Sequence, residues 1–159
     1  MELQPQIVSV SQKKLVGKRL RMSLSNNKTG ELWRSFMPEL NKIKNRVSGD
    51  LISMSVYGEA LQLSNVNQEF DKWAAVEVSD FEAAPEGTQK FTLTEGLYAV
   101  FNHKGLSTDN GIFIYIFTKW LPGSEYVLDS RPHFEILGAK YKNDDPASEE
   151  EIWVPIKPN

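Results

Sequence analysis

Extended and helix-spaced segments follow one another along this chain in a fixed order, and that order occurs twice. Ile7, Val8 and Val10, then Leu15, Val16, Leu20 and Met22, read as extended chain with a break near Ser11 and Gln12. After the turn cluster Asn26 to Gly30, residues Leu32, Trp33, Phe36, Met37, Leu40 and Ile43 recur at helical spacing. Thr29 stands where an N-cap is expected, Pro38 where a kink is, and Ser48 to Asp50 close the segment. Leu51 to Tyr57 and Trp73 to Val78 then alternate apolar and small or polar residues as half-buried strands do, with a loop over Gly58 to Asp71. Past a linker rich in Ala, Pro and Gly (Ala83 to Gln89) the order returns. Leu97 to His103 is a strand entered through Glu95 and Gly96, and Ile112, Tyr115, Ile116, Lys119, Trp120 and Leu121 mark a helix. Asp109 or Asn110 caps that helix and Pro122-Gly123 ends it. His133 to Tyr141 and Glu151 to Lys157 are the last two strands.

The two halves share an order of elements and a Trp-bearing helix, without obvious sequence identity, so the duplication is one of architecture. Strands and helices in this order give an α+β fold, with each helix on one sheet face and the opposite faces free to form a cleft. The expected unit is a single domain over residues 1–159, with halves at about 1–80 and 90–159.

Composition narrows the function. Hydrophobic residues are 40% and charged residues 25% of the chain, enough for a globular core. The absence of Cys removes disulfides, thiolate metal sites and thiol catalysis at once. With only His103 and His133, a metal site would rest mainly on carboxylates. No cofactor is expected. The amino terminus lacks a basic stretch followed by an apolar one, as a secretory signal needs. The best apolar run, Gly111 to Phe117, is far too short for a membrane span. A cytoplasmic location and no membrane partner are the default expectations. The formal charge of −3 argues against nucleic acid as the main partner. The basic residues Lys13, Lys14, Lys18, Arg19 and Arg21 alternate with Leu15, Leu20 and Met22, as on a solvated strand face.

Two stretches resemble the GyrI-like superfamily, which includes the effector-binding domains of AraC-type regulators and the standalone gyrase inhibitors. One is His133 to Tyr141 (HFEILGAKY), the acidic loop Asn143 to Glu150, and Glu151 to Lys157 (EIWVPIK). The other is Glu95 to Gly105 (EGLYAVFNHKG), followed at the family's distance by Trp120-Leu121-Pro122. In the first half, Lys14 to Gly17 and the Trp33 to Phe36 helix are compatible with the pattern. The resemblance implies two strand-helix-strand-strand modules related by a pseudo-twofold, with helices on one face of an antiparallel sheet and a ligand in the cleft between the modules. AraC-type regulators carry helix-turn-helix modules beside this domain, and no residues here are left to supply them. The expectation is a bacterial binding protein that does not itself contact DNA.

The resemblance places a ligand-contacting acid at Glu135. On the strand from His133, parity puts Phe134 and Ile136 on one side and Glu135 on the other, so an apolar pair packed on the helices would leave Glu135 facing the cleft. The same reasoning places Ile52, Met54, Val56, Val76, Val78, Ile152, Val154 and Ile156 on the helices. It leaves Tyr57, Trp73 and Trp153 as cleft-side aromatics, and Tyr98 matches the family's strand Tyr. Each of these aromatics is equally well read as core. Trp33, Phe36, Tyr115 and Trp120, at helical spacing, read as core, and the acidic residues Asp144, Asp145 and Glu149 to Glu151 as a solvated turn.

A carboxylate among rings suits a small cationic or amphipathic aromatic molecule. The leading expectation is therefore a standalone sensor or sequestering protein, with multidrug binding and a link to transcription regulation implied by the resemblance. A hydrolase is the alternative, with Glu135 as general base and Tyr57 or Tyr98 as the hydrogen-bonding acid. A third reading is a gyrase-inhibitor-like protein, with the Asn143 to Glu151 loop meeting a protein partner. Two generic His residues are too few to support a haem site.

Overall fold

A computed structural model describes residues 3–159; Met1 and Glu2, which open the stretch tested above for a secretory signal, lie outside the described residues. The strands are β1 (Gln6–Val10), β2 (Lys13–Met22), β3 (Leu51–Val56), β4 (Phe70–Val78), β5 (Gln89–Leu93), β6 (Gly96–Lys104), β7 (Tyr126–Leu128), β8 (His133–Leu137) and β9 (Glu149–Pro158). Helix α1 is Thr29–Leu40, and α2 is Gly111–Tyr115 continued by a π-helical turn, Ile116–Trp120. The fold is α+β: an antiparallel sheet of order β1-β6-β9-β8-β3-β4-β2-β5, with β7 added to β9.

Read outward from the central β3·β8 pair, the order is β3-β4-β2 on one side and β8-β9-β6 on the other. These are the strands of two strand-helix-strand-strand modules, β2-α1-β3-β4 and β6-α2-β8-β9. The outer edges are exchanged. β1 precedes the first module and pairs with β6 of the second; β5 precedes the second and pairs with β2 of the first.

This exchange forces the sheet to curl. β1 and β2 are six positions apart in the sheet, which in a flat sheet is roughly 29 Å. The two-residue link Ser11-Gln12 spans at most about 11 Å from Val10 to Lys13. Thr94 and Glu95 tie β5 to β6 in the same way. The face away from the helices therefore closes on itself, and Val10, Leu15 and Leu93 meet Met54, Trp73, Tyr98 and Phe134 in one interior. The helices pack on the outer face. Leu32 and Phe36 of α1 lie against Val16, Ala74, Val76 and Val78, and Ile112 and Ile116 of α2 against Ala99, Phe101, Ile152, Val154 and Ile156.

Val76, Val78, Ile152, Val154 and Ile156 thus take the helix side, as expected. Ile52, Met54, Val56, Phe134 and Ile136 do not: they fill or border the closed interior. Alternation separates two faces but does not label them, and here both are apolar. Thr29 is the first residue of α1, with Lys28 at the cap position and no side-chain cap. The helix runs through Pro38 to Leu40. β8 stops at Leu137, short of the expected Tyr141, and β5 and β7 were not foreseen. Among the described residues no helix is long and apolar enough to cross a membrane.

Candidate functional site

Because α1 packs on β2 and β4 and α2 on residues of β6 and β9, the central strands β3 and β8 are left between the helices. Their helix-side residues form a polar strip: Ser53 pairs with Glu135, and Ser55 with His133. Both serines are buried, and their side chains are short. Lys72 of β4 lies opposite Ser55 and donates from Nζ to its Oγ at 3.2 Å. Glu150 joins the strip from β9, on the same side as Ile152, which pairs with Glu135.

Aromatic rings wall one end. Tyr57, just past β3, lies edge-on to His133 with ring centres 5.3 Å apart, and 5.2 Å from Phe70. Phe117, from the π-helical turn, comes within 6.1 Å of the His133 ring. A π turn widens a helix locally and recurs at functional sites. A separate depression of about 280 Å³ beside Lys18, Arg19, Glu31 and Gln89 contains none of these groups.

The electrostatics of the strip are those of an acid pair in a partly dry setting. Glu150 is 5% exposed, and its Oε2 has no hydrogen-bond partner. Burial, then the charge of Glu135 and a hydrogen bond with it, push the Glu150 carboxyl up to about 8, against a smaller opposing effect of Lys72. His133 is held down at about 4, mainly by burial and further by Lys72, so its ring is neutral at physiological pH. Burial raises the Tyr57 phenol; a hydrogen bond with Ser55 opposes this and the charge of Glu135 adds to it. Glu135 itself is half-buried. Among the described residues no ion pair reaches Glu135 or Glu150.

Of the residues singled out from sequence, Glu135 and Tyr57 come together on this strip. They lie on the helix side of the sheet, not on the face away from the helices where parity was expected to put them, because their apolar neighbours Phe134, Ile136 and Val56 turn into the closed interior. Trp73, Trp153 and Tyr98 lie on the other face, in and beside the closed interior. Tyr98 is 0% and Trp73 3% exposed. The Tyr98 hydroxyl donates to the Pro132 carbonyl at 2.7 Å, and the Arg131 guanidinium sits 4.7 Å from its ring centre. Trp153 stacks on Phe134 at 5.1 Å. These three rings pack as core because the sheet curls over them.

Sequence reasoning missed Ser53, Ser55, Lys72, Glu150 and Phe117. The serines carried a signal: they share the parity of Tyr57 in Leu51 to Tyr57. Glu150 carried a weaker one, the parity of Ile152 and Val154, inside an acidic run that looks solvated.

Comparison with known proteins bears on the whole chain. Residues 6–156 match the sequence model of Cass2, the integron-associated effector binding proteins. The transcriptional regulator BrlR of Pseudomonas aeruginosa is 27% identical over 144 residues, 89% of this chain and 51% of the regulator. The chain thus spans about half the length of that curated relative. The crystal structure of the EcmrR C-terminal domain superposes with a TM-score of 0.74 at 16% identity, covering 100% of both chains. SAV2435, solved bound to tetraphenylphosphonium, superposes with a TM-score of 0.69 at 17% identity, covering 98% of this chain and 94% of that one. At these identities the two structures speak for the fold.

Proposed function

We propose a binding role from a plain premise, that the chain belongs to the family of integron-associated effector binding proteins: it captures a small organic cation with aromatic or apolar bulk in the groove between the helices. The observation that carries this reading is Glu135, a half-buried carboxylate with no cation paired to it among the described residues, on the same strip as His133, whose ring the Tyr57 and Phe117 rings adjoin. An acid drawn partly out of water without a counter-charge is costly, and a lipophilic cation offsets that cost while its bulk covers the rings. Ser53 and Ser55 keep the side chains on this part of the sheet short. The tetraphenylphosphonium bound by SAV2435 supplies a suitable probe.

Titration calorimetry with tetraphenylphosphonium is the test. The wild type binds, and Glu135→Gln loses about 30-fold or more in affinity, since removing one partner of a buried charge pair costs about 2–5 kcal/mol. Equal binding by both proteins would remove Glu135 from the role.

A second reading has one observation in its favour: the Tyr57 phenol lies close enough to Glu135 to respond to its charge. A base and a phenol on one floor are the parts a small-molecule hydrolase needs. Turnover of an activated ester, lost in both Glu135→Gln and Tyr57→Phe, would establish it.

A further inference from the structure

We propose that the groove exchanges a proton for its cation: Glu135 and Glu150 share one proton while the groove is empty, and an organic cation displaces it. This rests on the binding reading above and adds how binding at that site is regulated. The two acids stand on adjacent strands and the same sheet face, by the pairing of Glu135 with Ile152. Neither is in an ion pair among the described residues. Glu150 is 95% removed from solvent by its 5% exposure, and its Oε2 has no partner. Two ionised carboxylates so placed repel one another with little water to screen them. A single proton between them relieves that repulsion at once.

The groups facing Glu150 do not remove the need for the proton. From β4, Lys72 is committed to the Ser55 hydroxyl at 3.2 Å. From β6, His103 pairs across from Glu150, and its Nε2 lies 2.9 Å from the Leu106 carbonyl oxygen. His133 on β8 and Tyr57 past β3 are both neutral at pH 7. Helix α1 packs on β2 and β4, away from Glu150, and its Glu39 is paired with Lys42 at 3.3 Å; Lys119 of the π turn is exposed. The upward displacement of the Glu150 carboxyl agrees with this arrangement.

The exchange balances simply. The O–H bond of the Glu150 carboxyl breaks and its proton leaves to solvent. Both carboxylates remain, and the cation supplies the positive charge the proton had supplied. A ligand with no positive charge gains nothing from this pair, so the device also selects by charge.

Tetraphenylphosphonium tests the proposal cleanly, because its charge is permanent and any proton released comes from the protein. Calorimetry at pH 6.5 in two buffers of different ionisation enthalpy counts that proton. The expected release is close to one proton per cation, with affinity rising about tenfold per pH unit below about 8 and levelling above it. Glu150→Gln, checked for folding by circular dichroism, should bind with no proton released and no pH slope. Binding by the wild type without proton release overturns the exchange and leaves the binding site standing, as does release that persists in Glu150→Gln. No binding at all overturns the site and the exchange together. The wild-type proton count decides the matter even if the variant does not fold.

Discussion

Glu150 and His133 sit on one polar strip with opposite displacements, and their effects on stability therefore have opposite signs. Glu150 rises from 4.5 to about 8, so the folded chain keeps a proton that the unfolded chain releases between those values. The stability this proton contributes is fully present below about 4.5 and is lost as pH climbs to about 8. His133 falls from 6.5 to about 4, so the unfolded chain takes up a proton that the folded chain refuses. Stability from the neutral ring is present above 6.5 and lost as pH drops toward 4. Of these two groups only Glu150 acts between 6.5 and 8. The melting temperature of the ligand-free protein should decline over that interval, and Glu150→Gln should flatten the decline while leaving the acid side to His133. An unchanged slope in the variant would mean that Glu150 is ionised throughout. At this scale the sequence showed only part of the strip. Glu135 was legible as the polar residue between Phe134 and Ile136 on its strand, but the side read for it was the wrong one, because that apolar pair packs into the closed interior and not on the helices. Glu150 was not legible, because an acidic run from Glu149 to Glu151 occupies both parities and looks like a turn.

Among the elements, the β2·β4 pair carries the tightest constraint. Gly17 lies opposite Ala75 in that pairing. A Cβ there would run into the Ala74 carbonyl oxygen, and would stand 2.7 Å from the Ala75 Cα and 2.8 Å from its Cβ. Backbone atoms in a paired strand cannot move aside singly, so Gly17→Ala should cost about 1–3 kcal/mol. Urea denaturation should show a lower midpoint at unchanged slope; a midpoint equal to wild type would mean the pair opens without cost. The longer elements were readable in the sequence for physical reasons. α1 shows a clear apolar stripe, β3 alternates over Ile52 to Val56, and β4 and β6 carry short apolar runs of strand length. β5 has two apolar residues in five and β7 is three residues long, too little to announce a strand. The π turn in α2 is a widening that no spacing rule encodes. Side assignment failed on β3 and β8 because their alternation is equally satisfied by the helix-covered face and by the closed interior.

The whole molecule is held by that closed interior, which belongs to neither module alone. Leu15, Ile52, Met54, Trp73 and Ala75 come from the first module, Tyr98 and Phe134 from the second, and Val10 and Leu93 from the exchanged edge strands. A core built this way argues that the described residues 3–159 unfold as one cooperative unit despite the doubled order of elements. Val10 gives a direct test. It is 4% exposed, sits on a strand ahead of the first module, and pairs with Gly96 in the second. Val10→Ala removes two buried methyl groups, roughly 1–2 kcal/mol at about 0.8 kcal/mol for each carbon. If the interior is shared, hydrogen exchange should then accelerate by similar factors in β6 and in β3 and β4, and chemical denaturation should stay a single transition at a lower midpoint. If β6 alone loses protection while β3 and β4 keep theirs, the modules fold separately and the curl is only a docking of two halves. The first outcome would also bear on the groove, because its floor is the β3·β8 seam between the modules, and a seam inside one cooperative unit keeps Glu135 and Tyr57 fixed before any ligand arrives.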